Sequence, residues 1–91
     1  MGKLRPAIIL SDEQSNEILE TVIVVPLSTV IEPETFPFRW TVSKRERLEK
    51  ESDACINEVR SLSKKRVKEY LAVLTEEELV MIQEGLCRLI R

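Results

Sequence analysis

Between positions 59 and 68 the chain carries Arg60, Lys64, Lys65, Arg66 and Lys68 and no acidic residue. A patch of that density can meet a polyanion, and the solvated face of a short helix accounts for it equally well on charge alone. Two further places hold chemistry-bearing side chains at the ends of apolar runs: Arg5 directly before Pro6, and Ser28 with Thr29 directly after Leu27. The arginine is a permanently charged fork of donors, or a charge that shields an edge strand. The hydroxyls can donate to and accept from a ligand, or cap the loop that leaves a strand. Histidine is absent. That excludes Ser-His-Asp triads, Cys-His pairs and histidine-held metals, and leaves Arg, Lys, Ser, Thr and carboxylates for any catalysis. Cys55 and Cys87 form no CxxC pair, and both read as reduced core residues. With only two glycines there is no phosphate-cradling loop. No metal or other cofactor is expected.

The scaffold for these groups must be small. Ninety-one residues, 43% of them apolar, suffice for one domain spanning 1–91. The apolar runs at 7–10 and 22–27 fall well short of the roughly 20 residues that a membrane helix requires. The run behind Lys3 and Arg5 is also too short for a secretory signal, so the chain reads as soluble and cytoplasmic.

Strand signals fill the first two thirds. Positions 5–10 and 21–27 are rich in Ile and Val and bounded by Pro, Ser, Asp and Asn, as buried strands are. The polar intervals 11–20 and 32–37 read as turns, the second broken by Pro33 and Pro37. In 36–42, Phe36, Phe38, Trp40 and Val42 alternate with Pro37, Arg39 and Thr41, the period of a half-buried strand whose aromatic face is core. Positions 43–52 are charged and lack an apolar stripe, which predicts a surface loop or short polar helix with no core role. An extended run resumes over 53–60, and Ser61 or Ser63 can cap a short helix near 64–70. Pro6 and Pro26 read as strand ends.

The last element is the clearest: Thr75 with Glu78 forms a capping box, Leu74 and Leu79 stand at the two places of a hydrophobic staple, and Leu79, Ile82, Leu86, Leu89 and Ile90 share a stripe. That helix must dock on the sheet or on a partner. Several short strands and a late helix describe a small α+β fold with a curled sheet or barrel.

Three segments, in order and spacing, resemble the MazF/PemK toxin family: Lys3-Leu4-Arg5-Pro6-Ala7-Ile8-Ile9-Leu10-Ser11, then Val22-Ile23-Val24-Val25-Pro26-Leu27-Ser28-Thr29, then Asn57-Glu58-Val59-Arg60-Ser61-Leu62-Ser63-Lys64-Lys65-Arg66-Val67. The family shows an arginine-proline pair opening a strand, a second strand ending in proline, an apolar residue and Thr or Ser, and a later acidic-Gln-Ile-Arg-Thr stretch. The resemblance implies a small SH3-like β-barrel of the MazF/PemK/CcdB-like kind with a C-terminal helix. It also implies a homodimer, a cognate antitoxin protein as partner, and metal-independent, sequence-selective cleavage of single-stranded RNA. In that chemistry the 2′-hydroxyl attacks its own phosphodiester and leaves a 2′,3′-cyclic phosphate and a free 5′-hydroxyl.

On the same resemblance Arg5 would grip the phosphorane and Ser28 would donate to a phosphate oxygen. Thr29, Asn57, Glu58, Arg60, Lys64 and Lys65 would contact RNA. Asn57 stands where relatives are usually acidic, and Glu58 where they usually carry Gln, so donors and acceptors presented to a base edge are exchanged. Family members usually open with a further strand and a mobile loop bearing an acidic residue upstream of the arginine, and Met1-Gly2-Lys3-Leu4 resembles the tail of that loop. The chain therefore reads as N-terminally incomplete, with an exposed sheet edge and weak or absent cleavage in this form. The competing reading is a non-catalytic protein-binding module, titrating an antitoxin or poisoning gyrase. It predicts that Arg5 and Ser28 lie apart. A DNA-binding regulator fits less well, for want of a second helix suited to recognition.

Overall fold

The computed structural model describes residues 5–90. Strand β2 (Thr21–Ser28) is the spine, and its β-branched run suits a pleated strand with neighbours on both edges. Strand β1 (Ala7–Ile9) pairs antiparallel with it, Ala7 facing Pro26 and Ile9 facing Val24. Toward β1 point the odd-numbered peptide groups of β2: Leu10 N donates to Ile23 O, and Leu27 N to Pro6 O. The even-numbered groups face the other edge, where Lys64 N donates to Glu20 O.

That second edge is shared by two strands in succession. Strand β4 (Ser52–Cys55) pairs with the end of β2, Leu27 facing Ala54 and Ser28 facing Asp53. Strand β5 (Arg60–Ser63) pairs with its beginning, Thr21 facing Ser63 and Val24 facing Arg60. Three steps along β2, from Val24 to Leu27, are thus matched by six along the partner run, from Arg60 back to Ala54. The surplus is the three-residue 3-10 turn Ile56–Glu58. Pro26 lies opposite this break, so its missing N–H deprives no ladder of a bond. It sits inside β2 rather than at a strand end.

Strand β3 (Arg39–Val42) completes the sheet by pairing with β4. Among the described residues the sheet runs β1-β2-β4-β3, with β5 also on β2, and does not close into a barrel. The α+β class stands.

Alternation assigns the faces. On one face Ile8, Val25, Val42, Leu48, Ala54, Ile56 and Ile82 form the buried core, with Leu27, Trp40, Leu86 and Leu89 packed against it. Helix α2 (Glu76–Leu89) covers this face. Its capping box is formed, Thr75 Oγ1 accepting from Glu78 N at 3.1 Å and Glu78 Oε1 from Thr75 N at 2.9 Å. The helix approaches closely at Gly85, where a Cβ would lie 2.8 Å from Ile56 Cδ1 and 3.1 Å from Pro37 O. Ile90, assigned to the same stripe, is exposed, because it follows the helix in extended conformation. Cys55 is buried as expected, whereas Cys87 is exposed on the outer side of α2.

Four local expectations fail, each for a physical reason. The interval 11–20 contains helix α1 (Glu13–Ile18), capped by Asp12, whose Oδ1 accepts from Ser15 N at 2.7 Å. It buries no residue and so leaves no apolar period to read. The helix near 64–70 is only a 3-10 turn, Lys64–Arg66, closed by Ser63 Oγ accepting from Lys65 N. Beyond it the backbone is drawn into tertiary bonds, such as Arg47 N to Leu71 O. The strand over 36–42 begins only at Arg39, so Phe38 is 53% exposed, while Phe36 and Trp40 pack edge to face at 5.8 Å. Finally, the charged stretch 43–51 does have a core role. Leu48 is buried, and Arg45 lays both guanidinium nitrogens on the Glu78 carboxylate, tying this loop to the start of α2.

Candidate active site at the end of the central strand

Across β1 and β2 the register runs on through Pro6, whose carbonyl accepts from Leu27 N at 3.1 Å. The next place in that register belongs to Arg5 and Ser28, the first an exposed residue entering β1 and the second the last residue of β2. Sequence assigned both to catalysis from separate motifs; pairing brings them to one place. Ser28 Oγ accepts from Val30 N at 3.1 Å. One lone pair is thereby used locally, and the hydroxyl proton is left to donate outward.

Alternation along β2 sets Ser28, Pro26, Val24 and Val22 on the face opposite α2. Arg60 faces Val24 and shares this face, roughly 13 Å along the strand from Ser28. Asn57 and Glu58 lie between Arg60 and β4, exposed in the 3-10 turn, and Thr29 is exposed where the chain leaves β2. Arg60, Asn57, Glu58 and Thr29 are thus all exposed around the β4–β5 side of β2.

Lys64 and Lys65 are not brought to the Ser28 end. Lys64 is level with Glu20, at the far end of β2 and roughly 26 Å from Ser28, and its ammonium is bound to the Asn16 carbonyl. A hollow of about 280 Å³ opens there, bounded by Ile9, Asn16, Val22, Lys64, Lys68 and Tyr70.

Sequence reading missed the polar group beneath the Ser28 end. Asp53 is fully buried, directly across β2–β4 from Ser28. Its Oδ1 accepts from Thr41 Oγ1 at 2.6 Å and its Oδ2 from Glu32 N at 2.8 Å, with Arg39 Nη1 at 3.5 Å. Burial pushes its carboxyl up, and the Glu32 N–H, the Thr41 hydroxyl and Arg39 outweigh this, holding it below the ordinary carboxylate value. The only signal in the sequence was one acid inside the otherwise uncharged run 52–56. Arg39 in turn donates to Val30 O at 3.1 Å, so the segment leaving Ser28 is folded back over β4. Within it Glu34 adopts φ +59, a conformation that persists only where neighbours hold it. Among the described residues no three His, Cys, Asp or Glu side chains are grouped to hold a metal ion.

Comparison with known proteins agrees with this architecture. Residues 1–90 match the family described as PemK-like, MazF-like toxin of type II toxin-antitoxin system. The endoribonuclease MazF of Staphylococcus epidermidis is 30% identical over 86 residues, covering 93% of this chain and 72% of that relative. Among solved structures, the Mycobacterium tuberculosis toxin MazF-mt6 superposes with a TM-score of 0.81 at 18% identity, over 92% of this chain and 83% of that one. The MazE-MazF complex of Deinococcus radiodurans gives 0.80 at 23% identity, over 94% and 81%. The family match across nearly the whole chain, and a sheet that unites the arginine-proline and serine motifs, make this chain a member of the MazF/PemK family of toxins of type II toxin-antitoxin systems.

Proposed function

We propose that this chain is the toxin of a type II pair and a metal-independent, sequence-selective endoribonuclease acting on single-stranded RNA in the cytoplasm. The observation that carries this reading is the shared register of Arg5 and Ser28 at one strand end. The competing protein-binding module predicted that the two would lie apart. Arg5 presents parallel N–H donors to the nonbridging oxygens of the scissile phosphate, whose charge grows as the 2′-oxygen adds to phosphorus. The Ser28 hydroxyl, its lone pair occupied by Val30 N–H, donates to the same group. The 2′-hydroxyl loses its proton, the 5′-oxygen leaves and gains one, and a 2′,3′-cyclic phosphate remains.

Arg60, Asn57, Glu58 and Thr29 contact flanking nucleotides from the β4–β5 side of β2. Lys64 and Lys65 stand farther off and contribute backbone attraction that weakens with salt. A homodimer and a cognate antitoxin covering this face complete the picture, supported by the assembly of the MazF neighbour with MazE. The deciding assay incubates a mixed pool of single-stranded RNA in EDTA and maps the new ends. Slowly accumulating cuts bearing cyclic phosphate that vanish in Arg5→Ala are expected on long incubation. An intact pool, or cuts that persist in both Arg5→Ala and Ser28→Ala, would sink the nuclease reading of this site.

A further inference from the structure

Hydrogen bonds link the Ser28 hydroxyl to the buried Asp53 by way of Val30 and Arg39. Val30 N donates to Ser28 Oγ at 3.1 Å, and Val30 O accepts from Arg39 Nη1 at 3.1 Å. Arg39 stands against Asp53 Oδ2, and Asp53 lies opposite Ser28 in the ladder. A second tie runs from Asp53 Oδ2 to Glu32 N at 2.8 Å, four residues beyond Ser28. The turn leaving Ser28 is therefore held at Val30 and at Glu32, both times through one carboxylate. A fully buried carboxylate keeps all its donors in place, because a buried charge short of partners is strongly destabilising.

We propose that Asp53 is a positioning residue for the RNA-cleaving site: through Arg39 and the 28–32 turn it fixes the rotamer of Ser28 and directs the hydroxyl proton toward bound phosphate. Asp53 and Arg39 never touch RNA in this account. They act by keeping Val30 N–H on the serine lone pair, so that the only proton Ser28 can offer points outward. The inference rests on the nuclease reading of Ser28.

Asp53→Asn tests it with little change of volume. With its NH2 toward Thr41, whose hydroxyl then accepts, and its oxygen toward Glu32 N–H, the amide keeps both short bonds but carries no charge to hold Arg39, so the tie that loosens is the one through Arg39 to Val30. Cleavage kinetics are measured for this variant in the native background and in Ser28→Ala. The expected result is a fall in kcat of about tenfold to a hundredfold with little change in KM, and a far smaller fall where the serine hydroxyl is already gone. Arg39→Gln should behave in the same way and replaces Asp53→Asn if that variant does not fold. Equal losses in both backgrounds would overturn the proposal, since Asp53 would then act on stability or elsewhere in the site.

Amide hydrogen exchange separates this claim from the nuclease reading. If the unmodified protein cuts no RNA, Asp53→Asn must still strip protection from Val30 while α2 amides keep theirs. Unchanged protection at Val30 would refute the positioning role by itself.

Discussion

The two ends of β2 share one strand and differ in almost everything else. At the Ser28 end the strand has β1 and β4 beside it, a folded-back turn above it and a fully buried carboxylate in the next strand. At the Thr21 end it pairs with β5, Ile23 is 47% exposed, and its partners Ser61 and Ser63 are exposed as well. Apolar residues are buried toward both ends, Val22 and Val24 at one and Val25 and Ala54 at the other, but only the Ser28 end has a fully buried charge beside it. What differs is the polar network: buried donors and acceptors that must all be satisfied allow one arrangement, whereas exposed groups can exchange partners with water. A site that must hold an arginine and a hydroxyl to within fractions of an ångström belongs at the first end.

Breaking the network tests this contrast most severely. Asp53→Ala leaves Thr41 and Glu32 N–H without their acceptor and Arg39 with only Val30 O and Glu32, and should cost about 3–5 kcal/mol in urea unfolding. Ile23→Ala at the open end should cost about 1 kcal/mol; comparable losses would erase the distinction between the ends. Next comes the hydroxyl itself. Ser28→Ala should lower RNA cleavage about 10²–10³-fold without altering stability, and Ser28→Thr, which keeps the hydroxyl, should retain most of the rate.

Packing beneath the closed end offers a third probe. Gly85→Ala gains about 1 kcal/mol of helix propensity, but the new methyl meets Ile56 and the Pro37 carbonyl. The expected thermal shift is a net loss of about 1–2 kcal/mol. Stabilisation would mean that α2 can move off the sheet freely.

Acid gives the smallest and most graded effect. Asp53 is held below its ordinary value by the Glu32 N–H, Thr41 and Arg39 against burial, and Glu78 chiefly by its bond to Arg45. Both carboxylates have folded values below unfolded ones, so their contribution is full above about pH 4 and is lost as pH falls through the folded values. Melting temperature should be level from neutral pH to about 5 and fall below 4. Glu78→Gln should flatten part of that descent.

Much of this was legible in the residues. The Ile- and Val-rich runs marked β1 and β2, and the Thr75 and Glu78 spacing marked the start of α2. These features are local or periodic, and periodicity survives folding because a face must be buried as a unit. Less was legible where length or partners intervened. Helix α1 has no buried side to impose a period, and the run at 53–60 contains nothing that foretells its division by a 3-10 turn. Leu48 counted as surface because its neighbours are charged, yet Arg45 and Arg47 are drawn to Glu78 and Glu69, and the loop carries Leu48 into the core.

Sequence by itself determined strands β1 and β2, the capped helix α2, the absence of histidine chemistry and the motifs available to the site. Tertiary structure alone decided that Arg5 and Ser28 share a register, that Lys64 and Lys65 stand at the other end of the strand, and that Asp53 lies under the turn leaving Ser28. Motifs are written in a few consecutive residues, whereas these relations join positions 20 to 40 residues apart. They depend on how strands pair and on the cost of burying a charge without its donors.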